Sequence, residues 1–127
     1  MTKLDYFQRK LDSKHRLSIP ADVQAELEDG GVVITPGFGS YLHMYSKRVW
    51  DTEMEPALAG DILDERIADL NVKFRFGKQT AHPDKKQGRI TIEQHLLDHA
   101  GITDTVIAVR VGTYWRLMSP KQAKTKN

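Results

Sequence analysis

The chain has 127 residues, a usual length for one domain, and its 39% hydrophobic and 28% charged residues are typical of a soluble globular protein. It has no cysteine, which excludes disulfides and thiolate zinc sites, and its net charge of +2 is too small to indicate a nucleic-acid partner by itself. Its apolar runs are too short to span a membrane, and its charged first twenty residues do not resemble a signal peptide, so we expect a cytoplasmic protein with no membrane partner.

The first half of the chain predicts a unit of strand, helix and hairpin. In "LDSKHRLSIP", residues 11–20, a cationic, turn-prone stretch leads into a short strand that begins at Arg16. A helix of about two turns follows, with Val23 and Leu27 on one face, and Gly30 is expected to end it. The strand "GVVIT", the glycine turn "GFG" and the strand "SYLHMY" complete the unit.

The middle of the chain, about residues 47–76, predicts a helical insert. Ser46 is expected to cap a first helix that carries Val49, Trp50 and Met54, with Pro56 and Gly60 interrupting the helical pattern. A second, amphipathic helix is expected to have an apolar side made of Ile62, Leu63, Ile67, Leu70 and Phe74. Trp50, Phe74 and Phe76 suit either a core or a contact between subunits, and we expect at least one of them to serve oligomerisation.

The second half predicts the same unit again. The strand "RITI" begins at Arg89, a helix with Ile92, Leu96 and Ala100 on one face ends at Gly101, and the strands "TVIAV" and "TYWRLM" flank a turn at Gly112. The last residues, 121–127, have almost no apolar content and are expected to form a flexible basic tail.

An internal repeat relates the two halves, because residues 16–46 align with residues 89–119 without a gap. The identical pairs fall on predicted strands and turns: Arg16/Arg89, Ile19/Ile92, Val33/Val106, Ile34/Ile107, Gly39/Gly112, Tyr41/Tyr114 and Ser46/Ser119. A unit of about 45 residues exposes too much surface to be stable alone, so two copies must share one core. We therefore predict a single α+β domain over residues 1–120, with repeat one at about 5–46 and repeat two at about 77–119.

Charge is segregated along the chain. Residues 51–70 carry seven acids and one base, whereas residues 72–89 carry six bases and one acid, and the first sixteen residues are also basic. Local potential governs attraction, so the basic segments suit an anionic partner. Ordinary solvated surfaces explain the same pattern, and charge alone leaves both interpretations open.

Several segments together resemble the MraZ family. They are "LDSKHRLSIP", "KQGRITI" followed by "LLDHAGI", and the closing "VIAVRVGTYWRLMS", and the resemblance extends from about Leu4 to Ser119. No single motif is highly specific, but the combination in this order is. MraZ subunits carry two copies of an Asp-x-x-x-Arg loop and are grouped with the AbrB-like swapped-hairpin DNA binders, so the resemblance implies two pseudo-symmetric repeats that share one β-barrel core.

The resemblance also implies a function. It indicates a bacterial, nucleoid-associated DNA-binding regulator, most simply a repressor, that forms rings and binds short direct repeats near the promoters of division and cell-wall genes. The implied partners are double-stranded DNA and further copies of the chain, with no cofactor, no metal, no small-molecule substrate and no enzymatic activity. The alternative is a protein-interaction module on the same fold, an antitoxin-like partner or a ring scaffold, whose basic loops are incidental.

The chain departs from the family pattern at three positions. His15 stands where the family usually has Gly, at a position expected to need positive φ, which His tolerates better than most residues. Glu93 replaces the Pro that Pro20 supplies in the first copy. Asp84 lies five residues before Arg89 instead of four, so either the second loop bulges by one residue or Asp84 does not play the part of Asp12.

The candidate DNA-binding residues are those of the two loops: Asp12, Lys14, His15, Arg16, Lys85, Lys86 and Arg89. Arginine can donate two hydrogen bonds to guanine, whereas lysines suit phosphates, so we assign sequence preference to Arg16 and Arg89 and general affinity to the lysines. Asp12 can stabilise its own turn or orient an arginine. The alternative for each arginine is a structural ion pair with a nearby carboxylate.

Other motifs indicate no further site. His95 and His99 have a spacing that could bind a metal, but they flank the apolar face of a helix, so a solvated helix edge is the preferred interpretation. "GFGSYL" superficially matches a dinucleotide fingerprint, yet a strand follows it instead of a helix, and it is interpreted as a hairpin turn.

Overall fold

The protein is mixed α+β, as predicted, and it has two strands, β1 and β5, that were not predicted from the sequence. The computed structural model describes residues 3–27 and 31–125. In chain order the elements are β1 (Tyr6–Lys10), β2 (Arg16–Ser18), α1 (Ala21–Leu27), β3 (Val32–Pro36), β4 (Leu42–Ser46), α2 (Lys47–Val49), a π-helical turn (Trp50–Met54), α3 (Glu55–Leu58), α4 (Glu65–Arg75), β5 (Gln79–Ala81), β6 (Arg89–Thr91), α5 (Gln94–Ala100), β7 (Thr105–Val111), β8 (Tyr114–Met118) and α6 (Pro120–Thr125). No helix in these two ranges is long and apolar enough to cross a bilayer.

The strands form two antiparallel sheets. The larger has the order β1-β7-β8-β4-β3-β5, and the smaller pairs β2 with β6. The two halves of the chain meet in both sheets, where Leu42 of β4 lies opposite Leu117 of β8 and Leu17 of β2 lies opposite Ile90 of β6. Among the described residues, the pairing of the larger sheet ends at β1 and β5, so the predicted closed barrel is not observed. In the described part of the chain, the short strands β2 and β6 pair only with each other, so they do not join the edges of the larger sheet into a barrel.

One hydrophobic core is shared by the two halves. Its buried residues come from both sheets and from α1 and α5: Phe7, Leu17, Ile19, Val23, Leu27, Val32, Ile34, Leu42, Met44, Ile90, Ile92, Leu96, Leu97, Ala100, Ile102, Val106, Ala108, Trp115 and Leu117. The α5 helix ends as predicted, because Gly101 adopts the left-handed conformation with φ of 64° and donates to the Leu97 and Asp98 carbonyls. The predicted helix end at Gly30 lies outside the described residues.

The insert covers the opposite face of the larger sheet. Successive side chains of a strand point to opposite faces, and in β4 Leu42 and Met44 enter the shared core while Tyr45 joins a second buried cluster. Residues of the insert complete that cluster: Val49, Trp50, Leu58 and Phe74. Both faces of β4 are therefore buried.

The helices of the insert begin and end close to the predicted residues, with two corrections. The Ser46 hydroxyl caps the first helical segment by accepting a bond from the Val49 amide at 3.0 Å. Pro56 does not end this segment, because helical residues continue without a break from Lys47 to Leu58, with the π-helical turn directly before α3. The second correction concerns Ile62 and Leu63, which lie outside α4 and are 74% and 91% exposed.

A capping residue accounts for the late start of α4. The Asp64 carboxylate accepts a bond from the Arg66 amide, so the helix begins at Glu65 and leaves Ile62 and Leu63 in the preceding turn. Of the three aromatic residues considered for a subunit contact, Trp50 and Phe74 are buried, whereas Phe76 is 82% exposed.

The segment after Ser119 begins with a helix. Residues Pro120–Thr125 form α6, which occupies most of the segment expected to be a flexible tail. The Ser119 hydroxyl accepts from the Gln122 amide, and Pro120 takes the first helical position, where proline is favoured. The sequence contains this capping pattern, Ser119 followed by Pro120, but the low apolar content of the segment argued against a helix.

Candidate functional site

The first candidate loop is closed by hydrogen bonds to Asp12. The Asp12 amide donates to the Arg16 carbonyl at 3.2 Å, and the His15 amide donates to the Asp12 carbonyl at 3.0 Å. One carboxylate oxygen, Oδ1, accepts from the amides of Lys14 and Arg16 at 2.9 and 3.0 Å. The other, Oδ2, accepts from the Arg16 Nε at 2.6 Å. Asp12 therefore performs both of its predicted roles, because it stabilises the turn and pairs with the arginine.

The second loop repeats this arrangement with one more residue. The Asp84 amide donates to the Arg89 carbonyl at 2.9 Å, and Asp84 Oδ1 accepts from the amides of Lys86 and Gln87. Asp84 Oδ2 accepts from the Arg89 Nε at 2.8 Å. The loop therefore accommodates the additional residue, and Asp84 makes the same kinds of contact as Asp12.

Both loops use a left-handed residue directly before the arginine. His15 has φ of 59° and Gly88 has φ of 63°, and His15 is the only non-glycine residue with positive φ in the described ranges. Positive φ is unfavourable for a residue with a side chain. The expectation that His15 occupies a glycine-type position is confirmed.

The two loops lie side by side. Strands β2 and β6 are antiparallel, with Ser18 opposite Arg89. The Ile19 amide donates to the Gly88 carbonyl and the Ile92 amide to the His15 carbonyl, both at 3.0 Å. The loops also contact each other through side chains, since Arg89 Nη1 lies 3.8 Å from Asp12 Oδ2.

Each arginine is held by a carboxylate and remains partly accessible. The Arg16 and Arg89 side chains are 30% and 23% exposed. Their Nε atoms bond to Asp12 and Asp84, whereas their Nη atoms make no hydrogen bond to any residue that the structure describes. The ion pairs expected from a structural role are thus present, and donor groups remain for an acceptor outside the chain.

The two carboxylates are ionised at neutral pH. The pKa of Asp12 is lowered to about 2, first by the bond from the Arg16 amide and then by the bond from its side chain. The pKa of Asp84 is also lowered to about 2, first by the bond from the Gln87 amide and then by the Arg89 side chain. Each Asp–Arg pair therefore consists of two charged groups.

The three candidate lysines lie on these two loops. Lys14, Lys85 and Lys86 are exposed, and none of them has an ion-pair partner within residues 3–27 and 31–125. Ammonium groups of this kind are suited to phosphates. The structure thus brings all seven sequence-predicted site residues onto two adjacent loops.

Sequence reasoning missed two contributions to this site. It did not anticipate the contact between Asp12 and Arg89, because nothing in the order of residues indicates the side-by-side placement of the loops. It also missed Gln79, whose side chain donates to the Thr91 carbonyl and accepts from the Glu93 amide at 2.9 Å. This buried glutamine ties β5 to the end of β6 and so anchors the second loop.

The two histidines considered as metal ligands have structural partners. His95 Nε2 lies 2.9 Å from the Gly77 carbonyl, and His99 Nε2 lies 2.9 Å from the Gly39 carbonyl. These bonds attach α5 to the end of the insert and to the β3–β4 turn. No cluster of three or more potential metal ligands occurs in the part of the chain that the structure describes.

Comparison with known proteins identifies relatives along most of the chain. Residues 5–59, which include the first loop, match the family described as "MraZ protein, putative antitoxin-like". A relative from Alkaliphilus metalliredigens is 34% identical over 91% of this chain and 80% of its own length. Another from Dechloromonas aromatica is 31% identical over 92% of this chain and 80% of its own, and one from Clostridium acetobutylicum is 28% identical over 91% and 80%. All three are named transcriptional regulator MraZ.

Proposed function

Because this chain belongs to the MraZ family, we propose that it is a sequence-specific DNA-binding transcriptional regulator, most simply a repressor, that acts in the cytoplasm at the nucleoid. Its targets are short direct repeats near the promoters of division and cell-wall genes, as the family resemblance implies. The observation that carries the proposal is the pair of adjacent loops, each with a partly exposed arginine and at least one exposed lysine that has no ion-pair partner among the described residues.

The short distance between the two arginines supports recognition of a short DNA site by each subunit. Arg16 Nε and Arg89 Nη1 lie 2.6 and 3.8 Å from the same oxygen of Asp12, so these two nitrogens are at most about 6.4 Å apart. That is less than two base-pair steps, which are about 3.4 Å each. One subunit therefore presents both guanidinium groups to neighbouring base pairs, and a longer operator requires several subunits.

The shared core supports the architecture expected of the family. Both halves contribute to one hydrophobic cluster, and β2 of the first half pairs with β6 of the second. We assign the fold to the swapped-hairpin type, with strands that do not close into a barrel and with the two loops side by side.

Assembly of several copies completes the proposal. Two adjacent loops make few contacts with DNA, and linking binding units raises overall affinity by roughly 10²–10⁴ without new contacts. Phe76, which is 82% exposed, lies with Asn71, Val72 and Arg75 around an apolar hollow at the end of α4. We assign the contact between subunits in a ring to this surface.

Binding to fragments of the upstream region of its own gene tests the function. Titrations at several salt concentrations should give a linear fall of log affinity with log salt, because phosphate contacts release counterions. Arg16→Ala and Arg89→Ala should each lower the preference for cognate over scrambled DNA by roughly 5- to 150-fold, the range of a lost arginine–guanine pair of 1–3 kcal/mol. Weak general affinity should remain.

The matched control is Arg66→Ala. Arg66 also bonds to an aspartate, Asp64, through its Nε, but it lies on the acidic insert and is 89% exposed. It should bind DNA like the parent protein. A salt-independent interaction, or unchanged preference in both loop variants, would favour the protein-interaction module instead.

Light scattering after size-exclusion chromatography tests the assembly. Phe76→Ser should reduce the oligomer to smaller species, whereas Ile62→Ser, which removes another exposed apolar side chain, should not. An unchanged oligomer in the Phe76 variant would place the subunit contact elsewhere.

A further inference from the structure

The two Asp–Arg pairs are not equivalent. Asp12 Oδ2 accepts from Arg16 at 2.6 Å and also lies 3.8 Å from Arg89 Nη1. Of the two arginines, Asp84 pairs only with Arg89 in the described ranges, at 2.8 Å. Arg89 thus lies between two carboxylates, whereas Arg16 has one, and Asp12 is the group common to both arginines.

A carboxylate at this position affects both guanidinium groups. Arg89 is held at Nε by Asp84 and attracted at Nη1 by Asp12, and contacts at two nitrogens restrict the rotation of the planar group. The two arginines also carry like charges at close range, and the negative charge between them offsets their repulsion. The orientation of each arginine therefore depends on Asp12.

We propose that Asp12 is a positioning residue shared by both loops, which fixes the guanidinium groups of Arg16 and Arg89 relative to each other so that the loops act as one recognition unit. This inference rests on the proposed function. It predicts an asymmetry between the loops, because loss of the Asp12 charge perturbs both arginines, whereas loss of the Asp84 charge perturbs Arg89 alone.

The substitutions Asp12→Asn and Asp84→Asn separate positioning from folding of the loops. Each asparagine retains an Oδ1 that can accept the backbone amide bonds of its turn, and it removes the charge at the position that faces arginine. The control Asp64→Asn changes the same kind of Asp–Arg contact on the insert, away from both loops.

The first experiment needs no DNA. The Nε–Hε signals of the arginines in ¹H–¹⁵N spectra report on the groups that bond to each Nε and on charges nearby. In Asp12→Asn, the signals of both Arg16 and Arg89 should move, and in Asp84→Asn only that of Arg89. The Asp64 control should move only the Arg66 signal. A spectrum of Asp12→Asn in which Arg89 is unchanged would overturn the proposal, whatever the protein binds.

The second experiment measures base preference. An operator library with each position varied singly is bound by the parent, by Arg16→Lys and by Arg89→Lys, which assigns operator positions to each arginine. Asp12→Asn should then lower preference at both sets of positions by roughly two- to fivefold, the factor that corresponds to a partly exposed ion pair. Asp84→Asn should lower it only at the Arg89 positions.

The outcomes separate the two proposals. If Asp12→Asn affects only the Arg16 positions, the loops act independently and the shared role of Asp12 is wrong, although the DNA-binding function stands. If the parent protein shows no base preference, the proposed function fails, and the arginine signals still decide whether Asp12 positions both side chains.

Discussion

A fall in pH from 7 to 5 should destabilise the fold through one buried histidine, His43 of β4. Its side chain is fully buried, and the rings of Phe38, Tyr41, Tyr45, Phe74 and Tyr114 lie within 6 Å of its ring. Nδ1 lies 2.7 Å from the Tyr45 hydroxyl, and Nε2 has no hydrogen-bond partner among the described residues. Protonation would therefore bury a positive charge among aromatic rings, and the Nε2–H would have no acceptor among the described residues.

The pKa of His43 gives the direction and size of the effect. Burial, followed by the positive charges of Arg116 and Lys73, lowers this pKa from 6.5 to about 4. Between these two values the unfolded chain binds a proton that the folded protein does not, so stability is full above pH 6.5 and falls as the pH drops towards 4. At about 1.36 kcal/mol per pKa unit, the loss between pH 6.5 and pH 5 is about 2 kcal/mol.

Urea unfolding at pH 7, 6 and 5 measures this loss. The variant His43→Phe keeps an aromatic ring in the cluster and cannot titrate, so its stability should change little over the same range. His82→Phe is the control, because His82 is exposed, and it should retain the full pH dependence. The lowered pKa values of Asp12 and Asp84 act in a separate range, since their contributions are lost only as the pH falls below about 3.8. Equal losses in the parent and in His43→Phe would refute the reasoning.

Three further predictions concern backbone strain, capping and packing, each measured by chemical denaturation. His15→Gly should stabilise the fold by about 1 kcal/mol, because it relieves a positive φ, while Gly88→Ala should destabilise it by about as much or more, because a Cβ there would also overlap the Gln24 amide. The reverse order of these two effects would contradict the strain argument. Ser46→Ala should cost about 1 kcal/mol through the lost cap, and no loss would mean that the helix start is fixed by packing alone. Leu17→Ala should cost about 2–5 kcal/mol, since this side chain is fully buried between the two halves, and a loss below 1 kcal/mol would contradict a shared core.

The periodic parts of the sequence predicted the fold well because burial follows local patterns. Alternating residues in "RLSI" and "RITI" gave β2 and β6, and the apolar spacing of Val23 and Leu27 gave α1. The start of α4 was misjudged because apolar residues at helical spacing continue upstream of Asp64. There the capping carboxylate, and not the apolar pattern, decides where the helix begins.

The candidate site was predictable in composition but not in geometry. Seven residues in two related loops indicated the site, yet the sequence left open whether Asp84 could replace Asp12 across a longer loop. The answer depends on backbone bonds of Gly88 and Gln87 that follow no short motif. The buried environment of His43 was equally hidden, because Phe74 and Tyr114, which are distant in sequence, join the nearby rings of Phe38, Tyr41 and Tyr45 around it.

The ion pairs in the loops are compatible with the proposed reading of DNA by the same arginines. A partly exposed ion pair contributes only about 0–1 kcal/mol to stability, so neither pair is needed to hold the fold together. The ion pair has a larger effect on binding. Ordering a free side chain at an interface costs about 0.5–1.5 kcal/mol, and a side chain that the ion pair already holds avoids part of this cost. Asp12 and Asp84 each bond to Nε, restrict the arginine before DNA arrives, and leave the Nη atoms available. The ion pair that was considered as the alternative to DNA contact is therefore compatible with the proposed role of these arginines.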